Sequence, residues 1–232
     1  MDEGNTQREL LLSSVIGPAT SLEEAIHSTV RDVLLNAATD PALTRDLALA
    51  LLKRVDLPAE VLEEISKNQT LHKQRQVKFA LASHPRTPRH ISVPLVRELY
   101  TFDLMRVALS LTAPADIKKT ADKALISRLK TITVGERLTL ARRASGRIAA
   151  ALLLDPQPRV MSTALDNPRL TEVSVTEAVL KSEAGCLVQA VSHHPKWSCR
   201  RDVQTALLRT EHLSLARALA FERNLQSPVE SA

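Results

Sequence analysis

The chain has 232 residues, 31 Lys and Arg against 26 Asp and Glu, a formal net charge of +5, and only 5 glycines, 3 Phe, 1 Trp, 1 Tyr and 2 cysteines. Two cysteines make no disulfide framework, no run of about 18 apolar residues offers a membrane span, and the acidic opening "MDEGNTQREL" lacks the basic-then-apolar order of a secretory signal. A cytoplasmic chain is expected, and its class is all-α: strands draw on β-branched and aromatic residues and hairpins on glycine, whereas Ala, Leu, Glu, Lys and Arg favour helices.

In chain order, residues 1–20 predict a lead-in or N-terminal cap, with "TQRELLLSSVI" partly helical. Residues 21–72 predict an acidic helical part and 73–222 a basic one. Up to residue 72 there are 6 Lys and Arg against 12 Asp and Glu, and beyond it 25 against 14. Helices are predicted near 21–37, 41–55, 58–67, 70–83, 88–100, 102–111, 114–130, 134–145, 147–154, 157–166, 172–181, 184–193, 197–209 and 212–222. The last ten residues, "RNLQSPVESA", predict a frayed tail. "SLEE" at 21 and "TVGE" at 133 have the capping-box form, while "DPAL" at 40 and "TP" at 87 set a capping residue before a first-turn proline.

The prolines supply a repeat. Pro58, Pro85, Pro114, Pro168 and Pro195 stand 27, 29, 54 and 27 residues apart, so one marker is missing, near "ASGR", where Gly146 is expected to end a helix instead. "FALASHPRTP", "STALDNPRLT" and "VQAVSHHPKW" share an order: a small, apolar helix end, a polar residue, proline, a cation, and a new segment. Proline cannot continue a helix and pushes its predecessor out of the helical region, so His84, Asn167 and His194 mark joints.

Helices of about three turns are marginal alone and must bury an apolar stripe against neighbours. Such stripes are Leu104, Val107, Ala108 and Leu111; Leu138, Leu140, Ala141 and Ala144; and Leu187, Val188 and Val191. Alanines 80, 108, 164 and 190 are expected to allow close approach. Two short helices per unit, stacked on the next pair, form an α-solenoid; an irregular bundle with coincidental prolines is the competing arrangement.

"ALASHPRTPRHISVPLVREL" and "ALDNPRLTEVSVTEAVL" resemble the bacterial leucine-rich repeat variant and HEAT-like helical repeats, over roughly residues 56–222. The resemblance implies a curved, right-handed superhelix and a binding role. Some proteins of the first family carry a cysteine cluster for an iron–sulfur centre; no such cluster stands here, and no cofactor is expected.

"CLVQAVSHHPKWSC" raises a metal site from Cys186, His193 or His194, and Cys199, but the cysteines stand thirteen apart, each on its own helix, where zinc sites pair ligands closely. Cys186 reads as a small hydrophobe among apolar neighbours. No metal and no catalytic residue are expected. Trp197 has two readings, a plug between helix pairs whose N–H reaches a carbonyl, or a stacking platform for a base or cation.

The cations carry the functional reading. Arg86, Arg89, Lys118, Lys119, Arg142, Arg143, Arg147, Arg159, Arg169, Lys196, Arg200 and Arg201 fall at joints or in first and last turns. In a solenoid such positions line up as a ridge that attracts a polyanion; the alternative is a solvated face in which some cations complement helix C-termini. Three functions follow: a non-enzymatic scaffold for a protein or acidic partner, a protein that holds DNA or RNA by its phosphates, or a glycosylase of the HEAT-like class. The last requires several aromatics around an acid, and only Trp197 near Asp202 offers such a pairing.

Overall fold

A computed structural model describes residues 21–182 and 185–226. The tail "SPVESA" and the lead-in 1–20, including its expected cap helix, lie outside the described residues. The described residues are all-helical, with sixteen helices and no strand. They divide into two compact units, one of residues 21–99 with 112–114, the other of 100–111 with 115–182 and 185–226.

In the first unit the helices are α1 (Leu22–Ala25), α2 (Arg31–Thr39), α3 (Arg45–Leu52), α4 (Ala59–Lys67), α5 (Gln69–His72), α6 (Arg75–Ser83) and α7 (Arg89–Glu98). Helix α2 packs on α4, α3 on α6, and α6 on α7. Leu51, Leu62, Ile65, Leu81 and Val96 close this core.

The second unit holds α8 (Thr101–Leu109), α9 (Ala115–Arg128), α10 (Val134–Arg143), α11 (Gly146–Leu152), α12 (Pro158–Leu165), α13 (Glu172–Lys181), α14 (Gly185–His193), α15 (Arg201–Leu208) and α16 (Leu215–Gln226). After α8 packs on α9, the contacts alternate. Helices α9, α11, α13 and α15 each pack on the next of that set, α10, α12 and α14 do likewise, and α10–α11, α11–α12 and α14–α15 join the sets. Leu104, Leu125, Leu140, Ile148, Val188 and Leu207 fill the core between them.

Several expected elements come out differently. The helix expected over 21–37 breaks at 26–30, where Arg54 donates to the carbonyls of Ile26 (2.9 Å) and Ser28 (2.7 Å) and so satisfies a helix end from a distant turn. Asp40–Pro41 opens no helix: the Asp40 carboxylate accepts the Ala42 N–H (2.7 Å) in a turn, and α3 starts later behind the Thr44 cap. The helix expected over 70–83 is split at 73–74 because Asn68 caps α5 separately. Residues 195–199 form a turn, so α15 begins at Arg201, and α16 continues four residues into the expected tail.

Ser21 and Thr133 cap as expected, Thr133 with a complete box to Glu136. Thr87 does not; its hydroxyl is buried without a partner among the described residues. Leu111 lies beyond α8 and is 98% exposed, while Leu104 and Val107 are buried. Of the four alanines expected to allow close approach, Ala164 is buried and Ala80, Ala108 and Ala190 are half-buried, while Ala82, Ala141 and Ala149 are fully buried.

Gly146 is the first residue of α11, capped by Ser145, and does not end α10. A Cβ there would stand 2.3 Å from the Arg169 carbonyl oxygen, so only glycine allows this approach.

Candidate functional site

The joints are built alike. At His84, which is 5% exposed, the ring Nδ1 accepts the Arg86 N–H (3.2 Å) and Nε2 therefore carries the proton, donating to the Arg54 carbonyl (2.8 Å). At Asn167 the side-chain oxygen accepts the Arg169 N–H (2.8 Å) while the amide nitrogen donates to the carbonyls of Ala141 (2.7 Å) and Ala144 (3.4 Å). At His194, Nδ1 accepts the Lys196 N–H (3.2 Å) and Nε2 donates to the Asp166 carboxylate (3.1 Å). Each pre-proline side chain thus closes its own turn and reaches back to a preceding helix end. Thr112 makes the same reach to the Ser83 carbonyl (3.5 Å). Where the proline marker is missing, Ser145 donates to Asp122 (2.7 Å) and caps α11.

The separations spanned by these bonds are 30 residues at His84, 29 at Thr112, 23 at Ser145, 26 and 23 at Asn167, and 28 at His194. Burial holds the His84 imidazole below its ordinary range, aided by the Arg86 cation and opposed by the Arg54 carbonyl and Asp56. Burial also pushes the Asp122 carboxyl up, against the pull of the Ser145 hydroxyl and Arg147.

Some of the twelve cations serve the fold. Arg86 donates to the Asp56 carbonyl (2.9 Å), Arg169 to the Arg143 carbonyl at the end of α10 (3.3 Å), and Arg201 to the Leu225 carbonyl (2.9 Å). In the first unit Arg86 and Arg89 flank the His84 joint, both exposed.

In the second unit the Asn167 joint brings arginines together. Arg169 rests on the last carbonyl of α10, next to Arg142 and Arg143, and its own carbonyl abuts Gly146, which precedes Arg147. All four side chains are exposed, and among the described residues none of them forms an ion pair with an acid. Lys118 and Lys119 lie near the start of α9, Lys118 half-buried; Lys196 and Arg200 belong to the His194 joint. Arg159 stands apart from Arg169: it opens α12, and the joint follows that helix's other end, about 12 Å away along eight residues.

Trp197 is 2% exposed, its indole N–H donates to the Leu165 carbonyl (2.8 Å), and Lys196 lies over the ring at 4.1 Å. It is buried against the end of α12 and presents no open face for stacking. Asp202 is exposed in the first turn of α15.

Cys186 is exposed on α14, not packed among its apolar neighbours, because Leu187 and Val188 take the inward face. Cys199 turns to the carbonyls of Pro195 and Lys196, His193 to Gln189, and His194 to Asp166. No cluster of three or more His, Cys, Asp or Glu able to hold a metal occurs among the described residues.

Three acids have no counterpart in the sequence reading. Asp166 is an element of the His194 joint, Asp122 of the Ser145 joint, and Asp155 pairs with Arg137 at 3.2 Å with both side chains largely buried. Their partners stand 18 to 28 residues away, so no local pattern announces them. No helix of the described residues is long and apolar enough to cross a membrane.

Comparison with protein-family models, with curated proteins and with solved structures finds no match to this chain.

Proposed function

We propose that the chain is a non-enzymatic helical-repeat scaffold, and that the joint edge of its second unit holds an acidic segment of a partner protein. The solenoid reading is supported by the alternate packing of α9, α11, α13 and α15 and of α10, α12 and α14, and by joints that recur at a near-constant reach. The likeness to leucine-rich repeat variant and HEAT-like proteins rests on those same joints.

The observation that carries the binding role is the placement of Arg142, Arg143, Arg147 and Arg169 around one joint, none of them ion-paired with an acid among the described residues, although Arg147 acts at longer range on the Asp122 carboxyl. Complementing the C-terminus of α10 accounts for Arg142, Arg143 and Arg169, but not for Arg147 in the first turn of α11, where a cation opposes the macrodipole. Guanidinium groups present forks suited to carboxylates.

Phosphate-backbone binding is the second reading, and one feature weighs against it. The one tryptophan is closed off, so no aromatic platform is open to a base.

The test is a fluorescence anisotropy titration of a labelled oligoglutamate at low salt. Wild type is expected to bind at micromolar protein, and Arg142→Glu/Arg143→Glu/Arg147→Glu to bind at least about tenfold more weakly. Absence of wild-type binding overturns the proposal; tighter binding of duplex DNA, falling steeply with salt, replaces it with the nucleic-acid reading.

A further inference from the structure

Helix α10 carries a cavity among its arginines. Leu138, Thr139, Arg142 and Arg143 line a hollow of about 260 Å³. Side chains four residues apart in a helix lie one above the other, which sets Leu138 below Arg142 and Thr139 below Arg143. One end of the hollow is thus apolar and the other cationic. Leu140 and Ala141 take the core, and Leu138 is left half-buried with surface open to the hollow. The Thr139 hydroxyl donates to the Gly135 carbonyl (3.0 Å) within the helix, so its proton is not offered to a ligand. Arg142 and Arg143 are exposed and form no ion pair with an acid among the described residues.

From this cavity we infer that the acidic segment carries an aromatic residue among its acids, whose ring enters the hollow while neighbouring carboxylates meet Arg142 and Arg143. This rests on the acidic-partner reading. Size selects a single side chain over a free small molecule, because small-molecule sites enclose about 300–1,000 Å³, more than the hollow offers. Charge selects what flanks that side chain: two guanidinium groups at one end suit carboxylates. A ring is preferred to an alkyl chain because a guanidinium plane stacks on an aromatic face while its donors still reach an acid. Burying one such anchor against Leu138 supplies affinity that a segment of acids alone lacks.

The experiment uses three labelled peptides that differ only in a central Phe, Leu or Ser between equal runs of Glu. In anisotropy at low salt, wild-type chain is expected to bind the Phe peptide about tenfold more tightly than the Ser peptide, with the Leu peptide between them. In Leu138→Gln, which keeps a helix-forming residue and the charge, the ratio of Phe to Ser affinity should fall toward one. A fourth peptide, with a photoreactive benzophenone on the central ring, locates the contact in the wild-type chain: after irradiation and tryptic cleavage behind Arg137 and Arg142, the label is expected on the fragment 138–142. Equal affinity for the Phe and Ser peptides, a Leu peptide as tight as Phe, an unchanged ratio in folded Leu138→Gln, or label confined to other fragments overturns the aromatic anchor while leaving acidic binding intact. Failure of all three peptides and of oligoglutamate overturns the acidic-partner reading itself.

Discussion

His84 and Asn167 perform one task with different chemistry, and pH separates them. The neutral His84 ring accepts the Arg86 N–H at Nδ1; a protonated ring would turn an N–H against that N–H and lose the bond. Burial already holds its pKa below the ordinary 6.5, so on acidification the unfolded chain takes up the proton first. The contribution of this joint is complete above about pH 6.5 and is lost as pH falls toward the folded-state value. Thermal midpoints of wild type should therefore drop between about pH 7.5 and pH 5.5, and His84→Asn, which copies the Asn167 joint, should drop less. Equal slopes would remove His84 from the account. At Gly146 the limit is space: Gly146→Ala sets a methyl group against the Arg169 carbonyl and should cost about 1–3 kcal/mol in urea unfolding. Trp197→Ala opens a cavity and strands the Leu165 carbonyl, for about 3–5 kcal/mol.

The helices were largely legible because their signals are local. Thr133 and Glu136 form the box that "TVGE" announces, and Thr133→Ala should cost about 0.5–2 kcal/mol of stability in the same assay. Pre-proline residues ended helices as expected, with α6 stopping at Ser83, α12 at Leu165 and α14 at His193. What the sequence did not disclose was decided by partners far along the chain. The break at 26–30 carries no proline or glycine; Arg54, 26 to 28 residues on, makes it affordable by bonding two free carbonyls. The tryptophan turn at 195–199 reads partly as helix, because the bond of the indole to the Leu165 carbonyl leaves no local signal. Gly146 looks like a stop to anyone counting residues; its actual constraint is another joint's backbone. The candidate site divides the same way: the cations were visible one by one, while Asp166 and Asp122, which tune their surroundings, were not.

At the scale of the whole molecule, the charge counts alone say little about where a partner binds. A net of +5 spread over many solvated side chains would bind any polyanion weakly and without preference. The account requires more than charge: the Asn167 joint, tying Ala141 and Ala144 to the turn that bears Arg169, must assemble the arginines into one surface. The most direct test keeps every charge and removes the tie. Asn167→Leu retains Arg142, Arg143, Arg147 and Arg169, and its helical content can be checked by circular dichroism. Measured against labelled oligoglutamate at fixed low salt, the folded variant should bind about tenfold more weakly than wild type. Affinity unchanged from wild type in that folded variant would show that net charge suffices and would contradict the joint-built surface.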